Sequence, residues 1–70
     1  MKLYEIPRGS RIKAETNNND GEKLGDYIIF HHLDGGFSYC TVEGTEEVCH
    51  LSANQDLILS EDGYYELVCL

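Results

Sequence analysis

Apolar residues in this chain come in short bursts, interrupted every few positions by Gly, Asn or Asp. The bursts cover residues 2–6, 10–15, 26–32, 37–42, 47–52, 57–60 and 64–69, and they are rich in β-branched and aromatic side chains. None keeps a helical period over the roughly 11 residues that would argue a helix. Only Ser52-Ala53-Asn54-Gln55-Asp56 could hold a single 3₁₀ turn, with Ser52 as its cap. Short strands spaced by regular turn signals predict a small all-β barrel. The expected architecture is an SH3/Sm-like barrel of about five short, strongly bent antiparallel strands, a single domain over residues 1–70.

The interruptions have their own chemistry. Pro7-Arg8-Gly9-Ser10 reads as a turn with Pro fixing φ and Gly relieving the crowded position. Asn17-Asn18-Asn19-Asp20-Gly21 reads as a mobile polar hairpin tip. Asp34-Gly35-Gly36 is a hairpin signal of the type I′ kind. Taking Asp34-Gly35 as the two central residues pairs Phe30 with Tyr39, Ile29 with Cys40 and Tyr27 with Val42. Taking Gly44-Thr45 as the next turn pairs Cys40 with Cys49 and Tyr39 with His50.

On that register, one face carries Tyr27, Ile29, Cys40, Val42, Cys49 and Leu51. The other carries Ile28, Phe30, His32, Phe37, Tyr39, Val48 and His50. A slip by one residue would exchange the faces. Both are too apolar for a sheet with one side in water, so the aromatic face is expected to meet a partner subunit, the chain's own terminal segments or a ligand, the subunit interface being preferred. Phe30, Phe37 and Tyr39 are the expected oligomer interface.

Length and charge sharpen this expectation. A 70-residue chain buries a small core, which a subunit interface would supplement. Five Lys and Arg against 13 Asp and Glu leave a net charge of −8. That balance repels phosphate, so nucleic-acid binding is not expected. No apolar run approaches the ~20 residues of a membrane span, and the first residues lack the apolar core of a signal peptide. The expected location is therefore the cytoplasm, with Cys40, Cys49 and Cys69 reduced.

Candidate chemistry is sparse. His31, His32 and His50 suggest a metal or ligand site, yet neighbours in a regular strand point to opposite faces. His32 and His50 could share a face, with Asp34 or a cysteine completing a shell, but the spacing matches no zinc pattern. Cys49 and His50 likewise point apart, which argues against a Cys–His nucleophile. No Gly-rich phosphate loop joins a strand to a helix. The chain is expected to be no enzyme and to need no cofactor. An alternative reads the acidic surface as a nucleic-acid mimic that occupies a host DNA-binding protein.

Three stretches also carry a likeness: residues 2–10 (LYEIPRGS after Lys2), residues 29–40 (IFHHLDGGFSYC) and Cys49-His50-Leu51-Ser52-Ala53. Together they resemble a small Sm-like protein family of bacteriophage origin, met among cyanophage and marine metagenomic sequences. The resemblance implies an SH3-like barrel whose edge strands pair between neighbours to close a homo-oligomeric ring. In a phage-encoded protein the cytoplasm would be that of the bacterial host. The RNA-binding elements of true Sm proteins have no counterpart here. Asn54 lies outside their context, and Glu61-Asp62-Gly63 puts acids where a basic residue would stand.

Overall fold

The computed structural model describes residues 1–68. Cys69, read above as a free thiol, lies outside them. Among the described residues the chain is all-β apart from one 3₁₀ turn at Leu3–Glu5. The strands are β1 (Arg11–Asn17), β2 (Lys23–Asp34), β3 (Phe37–Val42), β4 (Val48–Cys49), β5 (Leu57–Leu59) and β6 (Tyr65–Leu67). They form one mixed sheet in the order β4-β3-β2-β1-β6-β5.

Two expectations change here. Six strands are present rather than about five, and β1 runs parallel to β6, whereas the other pairings are antiparallel. No ladder joins β4 to β5, so the sheet is not closed and keeps two edges.

The 3₁₀ turn falls where a strand was expected, and residues 52–56 form a turn between isolated bridges instead. Leu3 and Ile6 explain the exchange. Residues three apart eclipse one another on a 3₁₀ turn, and both side chains are buried. The Glu5 carboxylate accepts the Lys2 backbone N–H at 2.7 Å. The N–H groups of Leu3 and Tyr4 donate to the carbonyls of Gln55 and Ala53, docking the turn onto the β4–β5 connection.

The core consists of Leu3, Ile6, Ile12, Ile28, Phe30, Cys40, Val42 and Leu57. Strand β3 alternates strictly, with Ser38, Cys40 and Val42 inward and Tyr39 and Thr41 half-buried on the other side. Ser38 is the one polar residue among these fully buried positions, and its hydroxyl is satisfied. It donates to the Leu51 carbonyl and accepts the Leu51 N–H, at 3.1 and 3.0 Å.

The β2–β3 register departs from expectation. Asp34 pairs with Phe37, so the two central turn residues are Gly35 and Gly36. Gly35 has φ 64° and Gly36 does not have positive φ, the pattern of a type II′ turn rather than I′. A second irregularity follows between Phe30 and His32, where His31 is an extra residue with no Cα partner on β3. Phe30 therefore faces Cys40 and not Tyr39. It is only 5% exposed, which removes Phe30 from any surface interface and places it in the core.

Expectations from the other turns fare differently. Cys40 pairs with Cys49, as the Gly44-Thr45 turn predicts. Ser10 N–H closes the Pro7–Ser10 turn on the Pro7 carbonyl, with Gly9 at φ 89°. The Asn-rich tip is held by its own side chain, because Asn18 Oδ1 accepts the N–H groups of Asp20 and Glu22.

Candidate functional site

The bulge at His31 organises the most distinctive group of side chains. Two residues of β2 oppose one of β3, which re-aims side chains locally. As a result the rings of both His31 and His32 reach Tyr39, although neighbours in a regular strand would diverge. His32 stacks on Tyr39 with centroids 5.1 Å apart and planes at 9°. His31 meets the same phenol ring edge-on at 5.7 Å. His50 adds a third imidazole, edge-on at 6.1 Å. Tyr39 thus has three histidines around it, drawn from β2 and from the segment following β4.

Two of the imidazoles are anchored. His31 Nε2 is hydrogen-bonded to Thr41 Oγ1 at 2.8 Å. His50 Nδ1 donates to the Ser38 carbonyl at 2.8 Å. A carbonyl can only accept, so this bond places a proton on Nδ1 and leaves Nε2 of the neutral ring as an acceptor. The Leu51 N–H, which would otherwise reach for that carbonyl, goes to the Ser38 hydroxyl instead.

Beside His50 lies a hollow of ≈ 320 Å³, lined by Asp34, Phe37 and His50. Phe37 is 60% exposed. Asp34 makes no ion pair among the described residues, where the pairs are Lys2–Asp56, Arg11–Glu43 and Lys23–Asp26. The expected ligand pair, His32 and His50, is therefore brought to one side of the sheet, with Tyr39 between the rings. No group of three or more His, Cys, Asp or Glu placed to hold a metal ion occurs among the described residues.

A second cleft of ≈ 370 Å³ separates the β1–β2 hairpin end from β4. Its walls include Asn17, Asn18, Glu47 and Val48. Cys49 also borders it, across the ladder from Cys40. Both thiols are free. Burial, and then the neighbouring Cys40, pushes the Cys49 thiol up to about 11. Burial also raises Cys40, offset in part by its hydrogen bond with Ser38. Both are therefore held as thiols at neutral pH, and the thiol form is a poor nucleophile and metal ligand.

On the outer face of β1 and β2, Arg11 forms a two-point pair with Glu43 at 2.6 and 2.9 Å. Its guanidinium also lies 4.0 Å from the Tyr27 ring centroid, and Tyr27 meets Tyr64 edge-on at 5.4 Å. These contacts occupy Arg11 within the chain.

Sequence reasoning placed His32, His50, Phe37 and Tyr39 on one face, and they do cluster. It kept His31 apart from them, because a bulge has no side-chain signature in the sequence and regular alternation would turn His31 to the other face. Compared with protein-family models, curated proteins and solved structures, the chain matches none.

Proposed function

We propose that this chain is a non-enzymatic interaction module, built as a small Sm-like barrel and assembling with copies of itself into a ring. The observation that carries this reading is the pair of sheet edges, each bearing exposed apolar surface, with β5 met on its outer side by Met1 and Lys2 at Leu57 and Asp56 and open beyond them. Val48 on β4 is 44% exposed, and Ile58 and Leu59 on β5 are 54% and 58% exposed. An open edge with apolar side chains is a template for pairing with another chain. Because the two edges differ, contact of β4 on one copy with β5 on the next is heterologous, and such contacts repeat into rings when the rotation closes. The barrel description draws support from the docked 3₁₀ turn and from the bonds Ser38 N–H to Leu51 O and Ala53 N–H to Gly36 O, which bend β3 towards the β4–β5 connection. The resemblance to Sm-like phage proteins points the same way.

This reading moves the interface from the Phe30 patch to the edges, since Phe30 is core. Sedimentation at micromolar concentration tests it. The expected mass is several times 7.9 kDa, and a monomer at every concentration would contradict assembly. The alternative, an acidic mimic that occupies a DNA-binding protein, is favoured by the net charge of −8. It predicts a salt-sensitive complex with a basic protein and requires no self-assembly.

A further inference from the structure

We propose that the hollow between Asp34, Phe37 and His50 receives the guanidinium of an arginine side chain presented by a partner protein. The groups around the hollow are electron-rich. Asp34 contributes a carboxylate without a cation partner among the described residues. Phe37 contributes an exposed aromatic ring. His50 contributes its imidazole, and with Nδ1–H bonded to the Ser38 carbonyl the neutral ring has Nε2 left as its acceptor. No lysine or arginine lines the space, so an anion would find nothing to neutralise it.

A cation that carries several N–H donors matches the chemistry of all three lining side chains. The guanidinium is planar, stacks on an aromatic face and pairs with a carboxylate at two points. A fully methylated ammonium could use Phe37 but would leave the acceptors of Asp34 and His50 without donors. The same chain already shows the preference at another place. Arg11 lies over Tyr27 and pairs with Glu43 at two points, an aromatic-plus-carboxylate setting like the one the hollow offers. The charge of −8 favours the approach of a basic partner. The His50 ring is itself met edge-on by Tyr39, which stacks on His32. This site does not depend on self-assembly, and its failure would leave the mass measurement untouched.

The test is a titration of the full chain, followed by amide and side-chain NMR, with N-acetyl-arginine methylamide. N-acetyl-citrulline methylamide serves as the neutral isostere. Saturable shifts confined to residues 34–37 and 50 are expected with the arginine probe and not with citrulline. Asp34→Asn, which removes the charge-assisted contact, and Phe37→Ala, which removes the stacking ring, should each weaken binding about tenfold or more, a loss of ~1.4 kcal/mol. Shifts spread evenly over the acidic turns at 43–47 and 61–62, an equal response to citrulline, or no saturable shift would overturn the proposal. The wild-type comparison of the two probes decides it even where a variant fails to fold. Free arginine bound tenfold more tightly than the capped probe would overturn the partner-protein source.

Discussion

His32 and Tyr39 are Cα partners across β2 and β3, and their rings lie parallel at 5.1 Å. The pairing exists only because His31 is an extra residue in β2, inserted between the Phe30–Cys40 and His32–Tyr39 pairs. Without that insertion, the residues after Phe30 would continue the strict alternation of the preceding strand. With it, Phe30 stays in the core while His31 and His32 both contact Tyr39. One bulge thus separates the core-packing part of β2 from the part that carries the histidine–tyrosine cluster.

Direct cross-strand pairs interact by roughly 0.2–1 kcal/mol. A double-mutant cycle of His32→Ala and Tyr39→Ala should give a coupling in that range, measured by urea unfolding. Phe30→Leu and Tyr39→Ala should add without coupling. Strong coupling of Phe30 with Tyr39, and none of His32, would restore the register set by an Asp34-Gly35 turn.

The turn makes a separate prediction through its two glycines. Gly35 sits at φ 64° and Gly36 has ordinary φ, and a Cβ at either would meet open space. Sterics of the environment therefore cancel, leaving backbone strain alone. Gly35→Ala should cost about 1–2 kcal/mol, the left-handed penalty of an L-residue. Gly36→Ala should be neutral or slightly stabilising, because it restricts the unfolded chain. Equal costs at both sites would mean a type I′ turn.

The thiols set a limit at alkaline pH. Cys49 is raised from the ordinary 9.0 to about 11, so the folded state holds its proton where the unfolded state releases it. The associated stability is complete below pH 9 and is lost as pH rises towards 11. In a Cys69→Ser background, Cys49→Ala should flatten the fall of the urea midpoint between pH 9 and 11. Alkylation of the native thiols at pH 8 should be slow and should accelerate in denaturant.

Much of the architecture is legible in the pattern of residues. Strand β3 spans the predicted residues 37–42, and the Cys40–Cys49 pair follows from the position of the Gly44-Thr45 turn. Residues 2–6 misled because Leu3, Tyr4 and Ile6 suit a strand as well as a 3₁₀ turn. Only the docking of Leu3 and Ile6 against the rest of the core decides between them. Two adjacent glycines at 35 and 36 permit two registers, and no neighbouring side chain announces which one is taken. The parallel β1–β6 pairing joins residues far apart in sequence, and hairpin logic cannot foresee it. Of the candidate site, His32, His50, Phe37 and Tyr39 were readable as one face. Asp34 was readable both as a turn residue and as a possible companion of His32 and His50, whereas His31 was set apart because regular strand alternation turns it to the opposite face.

The central claim is that the open edges of β4 and β5 pair between copies. The bonds Val42 N–H to Glu47 O and Ser38 N–H to Leu51 O, two residues either side of Cys40, make Cys40–Cys49 a hydrogen-bonded pair. Ladder alternation then turns the Val48 N–H outward. The bonds Val68 N–H to Asp56 O and Ser60 N–H to Tyr64 O turn the Leu59 N–H outward by the same count. Hydrogen exchange at these two amides, followed from dilute to concentrated protein, is the most direct measurement. Both amides are expected to exchange freely in the dilute monomer and to become protected together as the assembly forms. Fast exchange at Val48 and Leu59 in a sample whose mass is already that of an oligomer would contradict it.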